Sequence, residues 1–253
     1  MQNRMFGNVP LHGIAKERVL KKLAERAVRG EKTRIFFLNA HCFNTAQKDA
    51  VYARSLQHAE LVLNDGVGVE IGAKILGVPL EENLNGTDFT PEVLKSLAKL
   101  GGRVYLLGGE PGIAQTAGKN IEGTYPGIQV TGVSDGFFSD DKELVDRINS
   151  SKSNLLIVGL GVPLQEKWIT DYLDRLDVQT VMAVGAFLDF TAGKVPRAPM
   201  LFRKARAEWI FRLLVEPKRM WKRYLWGNIV FFKHIAKYKF NSNIGIGKKD
   251  LPL

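Results

Sequence analysis

From Arg34 onward, short apolar, β-prone runs alternate with longer stretches whose apolar positions recur every three or four residues. The short runs, at 35–38, 61–63, 104–107, 128–133, 155–158 and 181–184, predict six strands. The stretches between them, at 45–57, 68–76, 91–99, 113–122, 142–150 and 164–173, predict helices. Strand, loop and helix repeated in this order predict an α/β protein with a Rossmann-like, mostly parallel sheet and helices on both faces. Pro196 and Pro199 flank Arg197-Ala198 just after the last strand unit and set a boundary near 194, dividing the chain into a body, 1–194, and an appendage, 195–253. In the appendage Phe202, Ala205, Trp209 and Leu213 are spaced 3, 4 and 4, which predicts one helical apolar stripe with Arg203, Arg206 and Arg212 off it. Pro217 then starts or kinks a second helix.

Charge changes this picture more than composition does. The 253 residues are 45% hydrophobic and 25% charged, a globular composition that excludes collagen-like, disulfide-scaffold and wholly disordered classes. Net charge is +10, but residues 194–249 hold 15 Lys and Arg against Glu208 and Glu216, so a mildly acidic body carries a strongly basic end. That segment interleaves its cations with Trp209, Phe211, Trp221, Tyr224, Trp226, Phe231, Phe232, Tyr238 and Phe240. Rings mixed with cations suit an anionic lipid surface, and would equally serve stacking on single-stranded nucleic acid or plain packing onto the body. The single cysteine, Cys42, permits no intrachain disulfide and fits a reducing compartment. No apolar run approaches the roughly 20 residues of a spanning helix, and the first residues lack the apolar core of an export signal, so the expected location is cytoplasmic.

In an open parallel sheet, ligands bind beyond the carboxyl ends of the strands. Four of those ends are chemically unusual: Asn39-Ala40-His41, Asn64-Asp65-Gly66-Val67-Gly68, Gly108-Gly109-Glu110-Pro111-Gly112 and Gly159-Leu160-Gly161-Val162-Pro163-Leu164-Gln165-Glu166. Their glycines admit backbone amides close to a ligand, and the helix starts that follow favour phosphate, which together predict a nucleotide or nucleotide-sugar site. Asp65 is the carboxylate within these loops that directly follows a strand, so it is either the reactive group or an Asp-Gly turn residue. There is no Gly-x-x-x-x-Gly-Lys-Ser/Thr, and Gly108-Gly109-x-x-Gly112 departs from Gly-x-Gly-x-x-Gly, which disfavours kinases and dehydrogenases. Asp-x-Asp is also missing, so a departing diphosphate would need fixed cations. Cys42 beside His41 makes a poor nucleophile pair, because adjacent residues point apart. His12, His41, His58 and His234 show no ligand spacing, and no metal is expected.

Several segments in order resemble the WecG/TagA/CpsF glycosyltransferases, glycosyltransferase family 26. They are Asn64-Asp65-Gly66-Val67-Gly68, Leu76-Gly77-Val78-Pro79-Leu80, Asn85-Gly86-Thr87-Asp88, Leu107-Gly108-Gly109, the 159–166 segment, Gly185-Ala186-Phe187-Leu188-Asp189-Phe190, Arg197-Ala198-Pro199, Glu208 to Leu213 and Glu216 to Tyr224. The resemblance implies an inverting, metal-independent bacterial transferase without a cofactor. Its donor would be a UDP-sugar of N-acetylmannosamine, N-acetylmannosaminuronic acid or glucose type, and its acceptor a polyprenyl-diphosphate-linked saccharide. It further implies peripheral attachment to the cytoplasmic face of the inner membrane during cell-surface polysaccharide synthesis. Asp65 resembles the family's general base, Asn39 and Gln165 its polar pocket positions, and Arg212 and Arg219 the appendage arginines that complete the site, with Lys222 or Arg223 as a further cation. Gly108, Gly109, Gly159, Gly161 and Asp189 fall on the loops expected to hold the nucleotide. Where many members carry Arg, this chain has Asn83, which removes one phosphate contact. A non-enzymatic nucleic-acid binder using the basic tail is the competing class; nucleic acid is not the expected partner, because that class leaves the glycine-rich strand ends unexplained. A second copy of the chain is a further candidate partner, through the apolar faces of the appendage.

Overall fold

The computed structural model describes residues 4–204 and 207–243, with the side chains at 204, 219, 242 and 243 outside the description. A hairpin of β1 (Arg4–Phe6) and β2 (Val9–Leu11) and a helix α1 (Lys16–Val28) precede the alternating body. The body then runs β3 (Thr33–Leu38), α2 (Ala40–Ala46), α3 (Ala50–Gln57), β4 (Leu61–Asn64), α4 (Val67–Leu76), α5 (Gly86–Ala98), β5 (Arg103–Gly108), α6 (Ile113–Thr124) and β6 (Gln129–Ser134). It continues through α7 (Asp141–Ser150), β7 (Leu155–Gly159), α8 (Leu164–Tyr172), β8 (Thr180–Ala183) and α9 (Phe187–Thr191). All six strands of the main sheet are parallel, in the order β4-β3-β8-β7-β5-β6. Both sheet faces are buried: Phe36, Leu38 and Val62 enter one apolar cluster and Ile35, Phe37, Leu61 and Leu63 the other. That is why these strands read as near-continuous apolar runs.

The six expected strands all form, while several helix boundaries differ for local reasons. The run expected as one helix over 45–57 is two, because Asp49 accepts the amide of Tyr52 and caps α3 as a separate helix. Likewise α5 begins at Gly86 rather than at Pro91, since Asn85 caps it through the amide of Asp88 and Pro91 sits in its second turn. Within residues 4–32, which the alternation leaves unassigned, the chain at His12 covers an open edge. His12 donates its backbone N–H to the Val62 carbonyl at 2.8 Å and accepts the Val62 amide on Nδ1 at 3.0 Å, closing the free side of β4. Burial pulls the His12 pKa down, which keeps that nitrogen an acceptor.

After α9 come α10 (Met200–Lys204), α11 (Glu208–Val215), α12 (Pro217–Trp221), a π-helical turn at Lys222–Trp226 and α13 (Gly227–Asn243). Pro217 starts α12 as expected. The single stripe from Phe202 to Leu213 does not run along one helix: α11 starts afresh at Glu208, the rings of Phe202 and Phe211 meet at 5.7 Å, and Ala205 lies outside the described residues. The end of the chain is also part of the core. Phe231 is fully buried, 6.2 Å from the Phe6 ring and 5.5 Å from Phe43, so α13 lies on α2 and α4 and seals the hairpin beneath it. Among the described residues, no helix is long and apolar enough to cross a membrane.

Candidate active site

The carboxyl ends of β3 and β4 lie side by side, and each delivers one polar side chain to the same point. Asn39 caps α2 by accepting the Cys42 amide on Oδ1 at 3.0 Å, which aims its Nδ2 at Asp65 Oδ2, 3.1 Å away. Asp65 is held from behind by its own amide, which donates to the Leu38 carbonyl at 2.8 Å. Gly66 then turns the chain into α4 with φ +92° and ψ 162°, a backbone region open to glycine almost alone. Its amide donates to Asn83 Oδ1 at 3.3 Å.

Above this floor is a cavity of about 390 Å³ whose roof comes from the basic end of the chain. Asn39, His41 and Asp65 line it from the strand ends, and Arg197, Arg203, Trp209, Arg212, Arg223 and Tyr224 line it from the basic end of the chain. The Nε atoms of Arg197, Arg203 and Arg212 are buried and have no hydrogen-bond partner among the described residues. Arg212 is steadied by stacking on the Phe190 ring of α9 at 5.0 Å. Arg223 is placed by the π-helical turn, a device that shifts side-chain direction within a helix and recurs at functional sites.

Burial governs the electrostatics here. It raises the pKa of Asp65, against the lowering effects of the Asn39 hydrogen bond and of Arg223 and Arg212. It lowers His41 to about 4, with help from Arg223, so that imidazole is neutral near pH 7. Asp88 is pulled below its ordinary value, because its Asn85 hydrogen bond and Arg197 outweigh the effect of burial. Glu208 shifts upward through burial, with Asp88 and Asp65 adding repulsion. The site can therefore accept a proton on a desolvated carboxylate and stabilise negative charge in the same cavity.

Of the residues singled out from the sequence, Asn39, Asp65, Arg212 and Arg223 meet in this cavity. Arg219 lies in α12 with its side chain outside the described residues. Lys222 is placed over the Trp221 ring at 5.6 Å on the exposed side of the helix. Gln165 is buried and does not line the cavity; its Oε1 accepts the amides of Gly161 at 3.2 Å and Gly185 at 3.1 Å, tying the loops after β7 and β8 together. Gly108, Gly109, Gly159 and Gly161 lie further along the same carboxyl edge, at β5 and β7, outside the cavity wall. Asp189 is in α9, its Oδ1 3.9 Å from Lys194 Nζ. Cys42 is buried in the core, where burial and Glu166 push its thiol up to about 12, so it forms no reactive pair with His41.

The sequence names His41, Arg197, Trp209 and Tyr224 only within longer segments and Arg203 only as a cation off the apolar stripe, and it assigns none of them to the site. The missing signal is physical: these side chains come from five separate elements, and nothing in their spacing announces a common target. Among the described residues, no group of three or more His, Cys, Asp or Glu is arranged to hold a metal ion.

Comparison with known proteins adds a second line. The model of the Glycosyl transferase WecG/TagA/CpsF family matches residues 4–245. An N-acetylglucosaminyldiphosphoundecaprenol N-acetyl-beta-D-mannosaminyltransferase of Bacillus spizizenii W23 is 32% identical over 180 residues, covering 71% of this chain and 70% of that protein. A protein of the same name from Staphylococcus aureus MRSA252 is 31% identical over 201 residues, covering 79% of this chain and 78% of the relative.

Proposed function

Because this chain belongs to the glycosyl transferase WecG/TagA/CpsF family, we propose that it moves an N-acetylmannosamine-type sugar from a UDP-sugar to a polyprenyl-diphosphate-linked N-acetylglucosamine. The observation that carries the proposal is the carboxylate of Asp65, steered by Asn39, in a cavity that four arginines line. The names of the relatives support the sugar and the acceptor.

In this mechanism the acceptor hydroxyl loses its proton to Asp65 as its oxygen bonds to the anomeric carbon. The bond from that carbon to the UDP oxygen breaks in the same step, inverting the configuration. The electron pair leaves on UDP, whose charge Arg212 and Arg223 hold without a metal. The nucleotide would lie along the glycine-rich ends of β5 and β7, with Gln165 fixing the backbone there. Peripheral attachment to the cytoplasmic membrane face is part of the proposal, and it is supported by α12 and the π-helical turn, where Trp221, Leu225 and Trp226 are 47%, 51% and 60% exposed beside Lys218 and Lys222.

The test is UDP release from a panel of UDP-sugars, with and without the lipid-linked acceptor in liposomes. Acceptor-dependent release from UDP-N-acetylmannosamine is expected; release from no donor, with no nucleotide binding, overturns the proposal. Deleting 195–253 would mix two effects, because it uncovers Phe6 and Phe43. Replacing Trp221 and Trp226 with Ser is cleaner, and should weaken binding to anionic vesicles while leaving the melting temperature in place.

A further inference from the structure

Beside the arginine-lined cavity lies a second one of opposite character. It has a volume of about 430 Å³ and lies between α4 and the 77–83 segment. Glu70, Glu81 and Glu82 line it together with one lysine, Lys74, whereas four arginines line the first. The start of α1 holds two of these glutamates in place. The Ala15 amide donates to Glu81 at 3.3 Å, Arg18 pairs with Glu81, and the Lys16 amide donates to Glu82 at 2.8 Å. At the bottom is Asn64, the last residue of β4, which is 1% exposed. Side chains two apart on a strand share a face, and Val62 packs in one core cluster with Ala73 and Val78. Asn64 is thereby directed at the same two residues, which also line the cavity. Its Nδ2 and Oδ1 are both buried and have no hydrogen-bond partner among the described residues. The two cavities are neighbours: Asn83 lines both, and its Oδ1 takes the amide of Gly66 at 3.3 Å.

A buried carboxamide with neither atom hydrogen-bonded costs stability, because nothing replaces the water it gave up. That cost is offset where a ligand supplies the missing donor and acceptor. An anion is a poor fit, since three glutamates outnumber Lys74 in the wall. A neutral ring bearing hydroxyl groups suits it better. Hydroxyls donate to carboxylates and to Asn64 Oδ1 and accept from Asn64 Nδ2, while the C–H face of the ring can rest on Val78, Pro79 and Leu80. We propose that this cavity is a sugar-binding site with Asn64 as its hydrogen-bonding residue, and that it holds the neutral ring of a substrate whose diphosphate lies among the arginines of the neighbouring cavity. Its place in the reaction rests on the transferase function proposed above; its preference for a neutral sugar does not.

Hydrogen exchange of the full chain, with and without the methyl glycosides of N-acetylglucosamine and N-acetylmannosamine, tests the site without any turnover. One of the two should protect amides within 64–83. Protection by the N-acetylglucosamine glycoside assigns the ring of the acceptor, and protection by the other assigns that of the donor. Protection by neither, or by inorganic diphosphate instead, overturns the proposal. Asn64→Val then tests the residue. It removes both buried polar atoms, so it should weaken binding of that sugar about tenfold in a ligand-observed NMR titration while melting no lower than the wild type. A sugar affinity within twofold of wild type overturns the proposal, and the exchange result in the wild type does not depend on how the variant folds. Sugar held at this site by a protein that transfers none would uphold the cavity and defeat the transferase proposal; transfer with no sugar held here would do the reverse.

Discussion

Two halves of one carboxyl edge are built on opposite logics. At β3 and β4 the strand ends project side chains, Asn39, His41 and Asp65, into a roofed cavity. At β5 and β7 they present almost only backbone: Gly108 has φ +132°, and a Cβ placed on it would lie 2.5 Å from the Gly159 carbonyl, while the Gly109 amide donates to that same carbonyl at 3.4 Å. Gly66, in the first half, is also glycine for its backbone angle, yet a Cβ there would meet open space. Glycine at a strand end therefore has two meanings. In one half it lets two loops touch; in the other it only turns the chain so that the preceding carboxylate lines the cavity.

The contrast can be broken at its chemical end first. Asp65→Asn keeps the shape and the Asn39 contact region but removes the proton acceptor, so turnover should fall by about 10³-fold with UDP binding intact. Turnover within tenfold of wild type would remove Asp65 from that role. With the wild type, the rate should fall on acidification at a pH above the ordinary carboxylate value, because burial raises the Asp65 pKa and the protonated form cannot act.

At the packing end, Gly108→Ala combines a forbidden backbone angle with a backbone collision, and denaturant unfolding should report a loss of about 4 kcal/mol. Gly66→Ala meets the angle penalty alone, about 2 kcal/mol by the same measurement, but it should swing Asp65 and cut turnover more than stability. Equal stability losses at the two glycines would erase the distinction between the halves.

The smallest effect belongs to the carboxylate beside Gln165, which ties the loops after β7 and β8. Glu166 is fully buried, accepts Gln165 Nε2 at 2.8 Å, and is raised by burial from 4.5 to about 7. The folded protein thus holds a proton that the unfolded chain releases earlier, so this stabilisation is complete below about pH 4.5 and is lost as pH rises through about 7. Glu166→Gln should flatten the fall in melting temperature between pH 5 and 8; an unchanged slope would mean that Glu166 is ionised in the fold.

The parallel-sheet body was legible because its strands are buried on both faces and its helices on one, so periodicity alone separates them. Its carboxyl-end loops marked Asp65 and Asn39 for the same reason: in such a sheet the ligand edge follows from strand direction. The basic, aromatic end was legible as composition and not as arrangement. Of its nine rings, Phe231 fills the core, Trp209, Tyr224 and Phe232 line the cavity, and Trp221, Trp226 and Phe240 face outward. Such sorting depends on the π-helical turn and on where α13 meets α2 and α4, which are outcomes of packing between elements more than 150 residues apart. Hydrophobic periodicity is a local property and survives in the sequence. The convergence of Arg197, Arg203, Arg212 and Arg223 on Asp65 and Asp88 is long-range, and it came into existence only when the last helices closed over the sheet.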